Sequence, residues 1–324
     1  MKAAKIPSGT GKNILYKKNG KNSILKDMVK NPIIYLMAFP AVIYFIIFSY
    51  IPMVGILLAF KRYNYTDGIL FSPWVGFNNF RFLFISGTLG NITLNTITFN
   101  IAFMTCSLIT EVGIAILLSE ITNKLYKKVT QSMMFLPYFV SYVILAVFAY
   151  NMFNYENGLL NNVLKSLDIE PVDLYIMPSI WKYILVFFNQ WKGLGYGVVI
   201  YLAAITGISE DYYEAAKIDG ASRIQQIRFV TLPLLKPTII IINLFAIGRI
   251  LRGQFDLFYQ IIGKNGNLYN ATDIIDTFVF RMLTVNFEPG MGTAAGLYQS
   301  LFGFFLVVSV NYVVKKINPD YALF

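Results

Sequence analysis

The chain has 324 residues, 56% of them hydrophobic and only 14% charged, with a net charge of +10; soluble proteins carry roughly 25% charged residues, so this composition points to a bilayer. One cysteine, Cys106, and no histidine exclude an internal disulfide, a Cys/His zinc site and a Ser-His-Asp or Cys-His nucleophile. Cys106 lies in an apolar stretch and reads as a small buried hydrophobe.

Residues 1–30 are Lys-rich and polar, with no short apolar run and no small-residue cleavage site, and are expected to be a cytoplasmic tail. Near its start, Ser8-Gly-Thr-Gly-Lys-Asn13 departs from a phosphate-binding loop. Ile6 stands where a glycine is needed, and Asn13 where a Ser or Thr is needed. The chain is therefore not expected to bind ATP.

A hydrocarbon core about 30 Å thick needs about 20 apolar residues in a helix. Six stretches qualify: Ile33–Phe60, Ile92–Leu118, Met133–Phe153, Ile180–Thr206, Thr238–Ile262 and Ala294–Val314. Kinks or close helix contacts are expected in the first (Pro40, Pro52, Gly55) and the fourth (Gly193, Gly195, Gly197). The predicted fold is an all-α integral membrane bundle of six transmembrane helices, one domain over residues 31–318, with a short tail at 319–324. No internal repeat is evident.

Placing both termini inside puts 17 basic residues on the inner side and six (Lys61, Arg62, Arg81, Lys165, Lys264, Arg281) on the outer. That asymmetry follows the positive-inside rule, so the positive charge reflects topology and anionic lipid, not nucleic acid. Asn91-Ile-Thr93 and Asn270-Ala-Thr272 fit the short glycosylation pattern, which alone carries little.

The inner loop at 207–236 holds the most specific signal. Glu210 and Asp211 suit the positive end of a first short helix. Gly220 suits its left-handed stop, and Ser222 with Gln225 a capping box that starts a second. Pro233 is expected to end that second helix, and Lys236-Pro237 to open the fifth span.

This segment resembles the EAA motif of bacterial ABC-importer permeases: Glu214, Ala215, Ala216, Gly220, Leu232 and Pro233 stand in register, with Val230 at the position that is usually Ile. In that family the loop forms a coupling helix that docks into a groove of an ATPase, to which Glu214 and Asp219 would offer charge. The likeness extends to Phe39–Phe48, Ser72–Phe80, Trp191–Tyr196, Ile200–Ile205 and Asp273–Arg281. These are similar to maltose-type carbohydrate-uptake permeases, in particular those for aldouronate, rhamnogalacturonan or alginate oligosaccharides. The resemblance implies an ABC type I importer permease in a bacterial plasma membrane. Its implied partners are a second homologous permease, two ATPase subunits that bind ATP and magnesium, and an extracellular solute-binding lipoprotein. It implies no cofactor in this chain.

Polar residues in the fourth and fifth spans then become candidates for the sugar pathway: Asn189, Gln190, Trp191, Lys192, Tyr196 and Tyr201, then Asn243, Arg249, Arg252, Gln254 and Asp256. A mid-bilayer charge costs about 2.5–3.5 kcal/mol on insertion scales, so Lys192 and Arg249 require an explanation. Aromatic rings would stack on sugars, amides and arginines would hydrogen-bond hydroxyls, and Arg249 or Arg252 would receive a uronate carboxylate. The plainer alternatives are that Arg252 pairs with Asp256 four residues on, and that Lys192 neutralises a carboxylate of a neighbouring subunit. An ABC permease for another small solute, such as an amino acid or phosphate, is the nearest rival. An ion-driven transporter is disfavoured by the absent repeat, and a membrane enzyme by the absent acid–base groups.

Overall fold

The computed structural model describes residues 29–317. The expected tails, up to residue 28 and over 319–324, lie outside that range. The described residues are helical apart from loops, turns and one isolated bridge between Lys61 and Trp74. Contacts divide the chain into residues 1–55 and 56–324.

In the first unit, α1 (Pro32–Phe45) passes into a π turn over Ile46–Tyr50, and neither has a buried residue. A helix apolar on every side is suited to lipid or to another chain, not to water. Pro52, which cannot donate to the ladder, stands at the change to a 3-10 stretch, Ile51–Phe60.

The second unit packs around α2 (Asn78–Ile85), α3 (Thr88–Ser119), α4 (Lys124–Phe135), α5 (Tyr142–Phe153) and α6 (Pro178–Thr206). After α6 come α7 (Glu210–Ile218), α8 (Arg223–Gln226), α9 (Leu232–Gly248), α10 (Phe255–Ile262), α11 (Ile275–Thr284) and α12 (Pro289–Ile317). The α3–α6 pair is its spine. One core joins Phe99 and Phe103 of α3 to Trp181, Leu185 and Phe188 of α6 and Phe258 of α10. A second joins Val112 and Ala115 to Val198, Tyr201 and Leu202, and a third joins Leu89 and Ile92 to Phe278, Ala294 and Ala295.

Among the described residues, four helices are long and apolar enough to cross a membrane: Pro32–Phe60, Thr88–Ser119, Arg223–Gly248 and Pro289–Lys316. The number reaches six if each of two bent pairs counts as one crossing: Lys124–Phe139 with Tyr142–Phe153 at 93°, and Pro178–Thr206 with Glu210–Ile218 at 67°.

Three expectations are corrected here. The third stretch, Met133–Phe153, is not one straight helix but breaks near Val140. Pro233 does not end a helix. It lies in the first turn of α9, where a missing N–H is tolerated, and a π turn over Ile227–Thr231 carries the chain from α8 into α9. Consequently the fifth stretch runs Arg223–Gly248 rather than Thr238–Ile262, and Arg249 caps its end instead of lying at its middle.

Lys61, counted among outer charges, is only 2% exposed. Its ammonium donates to the carbonyls of Ile69 (3.1 Å) and Leu70 (2.5 Å) and lies 5.0 Å from the Trp74 ring. Asn91 and Asn270 of the two glycosylation-like triplets bond to each other: Asn91 Nδ2 donates to Asn270 Oδ1 at 3.3 Å.

Candidate functional site

The 207–236 loop forms as its local chemistry dictates. Ser209 caps α7, its Oγ accepting from the Asp211 N–H at 3.3 Å, with Glu210 and Asp211 in the first turn and Lys217 in the last. Gly220 adopts φ +78°, where a Cβ is disfavoured. The turn that follows satisfies two helix-end carbonyls: Ala221 N–H donates to Ala216 O (2.9 Å) and Gly220 N–H to Lys217 O (3.0 Å). Ser222 and Gln225 then close a reciprocal capping box, in which Ser222 N–H donates to Gln225 Oε1 at 2.7 Å.

The loop is fixed from beneath by Gln226, whose Nε2 donates to Ala221 O at 2.9 Å, and by the Tyr213–Thr231 hydroxyl bond at 3.0 Å. Its outer side carries Glu214, Ala215 and Asp219, exposed, beside Tyr212, Ile218, Ile224 and Phe229. Ile218 is 86% exposed, an unfavourable place for an isoleucine unless another surface covers it. Of the motif's distal residues, Val230 is half-buried while Leu232 and Pro233 are exposed on the first turn of α9.

The second feature is a cavity of about 300 Å³ where α9 stops. Between Gly248 and Phe255 the chain is not α-helical, so its carbonyls need other partners. Three side chains supply or organise them. Asn100 Nδ2 donates to Ile250 O (3.0 Å), Gln299 Nε2 to Leu251 O (2.6 Å), and Asp276 Oδ2 accepts from Gly253 N–H (2.7 Å). Arg249 and Arg252 sit just past the carbonyl end of α9, the end of a helix that favours cations.

Of the residues singled out from sequence, Asn189, Tyr201, Asn243, Arg249, Arg252 and Gln254 line this one cavity. The others lie elsewhere. Gln190 faces α3, accepting from Ser107 Oγ (3.0 Å) and donating to Thr110 Oγ1 (2.6 Å). Trp191 stacks on Phe148 and Tyr196 on Tyr138, both toward the α4–α5 bend. Lys192 is there too: its ammonium donates to Tyr138 O (2.7 Å) and Val140 O (2.5 Å), between the rings of Tyr138 and Tyr142. Within this chain its charge is answered by those two carbonyls. Asp256 is exposed in the first turn of α10 and makes no ion pair with Arg252.

Sequence reasoning missed the wall supplied by α3, where Asn100, Met104, Ser107 and Glu111 line the cavity. Their spacing of three to four residues is one helical face, and a carboxylate within an apolar stretch was the available signal.

The Asp273…Arg281 segment is organised around an ion pair, with Arg281 Nη1 donating to Asp273 Oδ1 at 3.1 Å and Nη2 to Oδ2. The Tyr269 ring lies 4.1 Å from the guanidinium carbon. Burial works to lower the Arg281 pKa, but the hydrogen bonds and charge of Asp273, with Tyr269, outweigh it and hold the group above its ordinary value.

Residues 107–319 match the family model of the binding-protein-dependent transport system inner membrane component. The chain belongs to this family. Among its relatives is Protein LplB of Bacillus subtilis (strain 168), 31% identical over 85% of this chain and 86% of that protein. The polygalacturonan/rhamnogalacturonan transport system permease protein YteP of the same organism is 30% identical over 85% of each. In three dimensions the permease resembles a chain of a bacterial ABC transporter involved in the import of the acidic polysaccharide alginate. That match has a TM-score of 0.82 and 30% identity, covering 91% of this chain and 99% of the other. The matched region contains α7 and the whole 207–236 loop, the C-terminal part of α3 from residue 107 on, and the helix break with its arginines.

Proposed function

We propose that the chain is the membrane-spanning permease of an ATP-driven importer for oligosaccharides, with a preference for those bearing carboxylates. The observation that carries the reading is the pair Arg249 and Arg252 at the end of α9, facing the same cavity as Asn189, Asn243 and Tyr201. Guanidinium groups recognise carboxylates through paired N–H donors, and amides and phenols suit sugar hydroxyls. The importer of an acidic polysaccharide among its structural relatives supports the same choice.

On this reading the bent α4–α5 pair is one crossing and α6 another, giving six, with both termini on the inner side and α7 outside the bilayer. Residues 1–30 and 319–324 are cytoplasmic tails. The exposed face of α7, with Glu214, Ala215, Ala216, Asp219 and Gly220, docks on a separate ATPase that binds ATP and magnesium, so the chain has no ATPase site of its own. A second homologous permease completes the pathway, a second ATPase copy completes the engine, and an extracellular binding protein delivers the sugar. ATP-driven closure of the ATPase pair is transmitted through α7, and the bundle alternates between inward and outward exposure of the cavity.

The test is uptake into proteoliposomes holding the full complex, with an oligo-uronate and its carboxyl-reduced neutral counterpart as competing substrates. An ATP-dependent preference for the uronate that falls in Arg249→Gln supports the reading. An unchanged ratio in that variant, or uptake with no ATPase partner present, overturns it.

A further inference from the structure

Glu111 is the one carboxylate lining the polar cavity, opposite two guanidiniums. A carboxylate inside a membrane helix is costly and is normally found beside a partner cation. Yet the ion pairs among the described residues are Arg223–Glu120 and Arg281–Asp273, so Glu111 is held off both Arg249 and Arg252. What holds it off is its seat on α6. The carboxyl group occupies the space left by Gly197, where an added Cβ would come within 2.0 Å of Glu111 Cδ and Oε2. No other residue type fits there without moving the carboxylate.

This geometry separates two effects that contact would merge. A salt bridge would consume the donors of the arginines. A carboxylate kept at a distance leaves those donors available to a ligand while still lowering the positive potential that attracts it, because Coulombic interaction falls slowly in a medium of low dielectric. With Glu111 ionised, two guanidiniums and one carboxylate leave the cavity a formal charge suited to one substrate carboxylate. A transport site must also let its cargo go, and an untempered pair of arginines would hold an anion too long.

We propose that Glu111, seated on Gly197, sets how strongly the permease favours acidic over neutral oligosaccharides. The inference rests on the cavity being the sugar pathway. Glu111 acts on substrate choice through charge. Gly197 is a positioning residue that acts through Glu111.

The experiment is competitive uptake of an oligo-uronate trisaccharide and its carboxyl-reduced form by proteoliposomes containing the full complex, with KM and kcat for each. In Glu111→Gln the uronate-to-neutral ratio of kcat/KM rises roughly tenfold, the scale of one unit charge acting across a partly screened cavity. The uronate KM falls, and its kcat falls with it as release slows. Glu111→Asp, which keeps the charge, stays near the wild-type ratio. Gly197→Ala, which drives the carboxylate off α6 toward the arginines, lowers the ratio. In a Glu111→Gln background the same glycine substitution leaves the ratio where Glu111→Gln set it. Co-purification with the ATPase confirms assembly of each variant, and Gly197→Ala carries the test by itself if Glu111→Gln does not assemble. An unchanged ratio in Glu111→Gln, alongside a changed one in Arg249→Gln, overturns this inference and leaves the pathway reading standing. If neither variant moves the ratio, both are wrong.

Discussion

Arg223 Nη1 lies 3.1 Å from Glu120 Oε2, joining the first turn of α8 to the end of α3. The two side chains are 68% and 36% exposed, which limits the pair to less than about 1 kcal/mol. Glu120→Ala or Arg223→Ala is therefore expected to leave the thermal midpoint of the detergent-purified complex nearly unchanged. Because the pair ties the proposed coupling loop to a helix that lines the cavity, ATP-driven uptake should weaken in both single variants and recover in Glu120→Arg/Arg223→Glu. Recovery in the exchanged pair is the informative readout. Its failure would mean the contact does not help transmit the stroke.

Gly220 makes a second prediction. An added Cβ there meets nothing within 4 Å, so a substitution costs only the left-handed backbone, φ +78°. That penalty is roughly 1–2 kcal/mol for alanine and smaller for asparagine, which visits this region more readily. Sugar-stimulated ATPase activity should fall further in Gly220→Ala than in Gly220→Asn. Equal losses would place the role of the glycine in the docking surface instead of the turn.

The Asp273–Arg281 pair is largely buried, with side chains 7% and 19% exposed. Removing one partner of such a pair costs about 3–5 kcal/mol because the other charge is left buried and alone. Asp273→Asn is expected to lower the thermal midpoint sharply, and Asp273→Asn/Arg281→Met to recover much of it. A double variant as unstable as the single one would show that Asp273 matters through Thr277, whose hydroxyl donates to it at 2.8 Å.

Lys192 supplies a fourth prediction. Its two acceptors, Tyr138 O and Val140 O, flank the α4–α5 break and have no helical donor there. Lys192→Met should reduce thermal stability, by about 1–3 kcal/mol for the part-buried Val140 O and by less for the exposed Tyr138 O. The uronate-to-neutral uptake ratio of the surviving complex should not change, since the residue faces the bend and not the cavity. A shifted ratio would return Lys192 to the sugar pathway.

What could be read from the sequence divides by the range of the interactions concerned. The 207–236 loop was legible because its caps act within a few residues: Ser209 on Asp211, Ser222 on Gln225, Gly220 on its own φ. The break after Gly248 was not, because apolar residues resume at Leu257–Ile262 beyond Arg249 and Arg252, and the two runs read together as one helix of spanning length. Only Asn100, Gln299 and Asp276, distant in sequence, reveal where the ladder stops. The cavity was half legible for the same reason. Arg249 and Asn243 stand out as polar residues in the fifth stretch, whereas Glu111 is a single carboxylate in a helix that otherwise reads as apolar. Lys192 stands out in the sequence as a charge within an apolar stretch, but the carbonyls that answer it lie more than fifty residues earlier.

The partners of the 249–254 break also fix an order of biogenesis. Asn100 is synthesised long before the break and Gln299 long after it, yet both must bind its carbonyls. Until α12 has been made, Leu251 O lacks its amide, and an unmatched carbonyl in hydrocarbon is costly. The arginine-bearing segment therefore settles only when the last helix arrives. A ribosome stalled short of residue 299 would leave an intermediate whose cavity-lining wall is not yet folded.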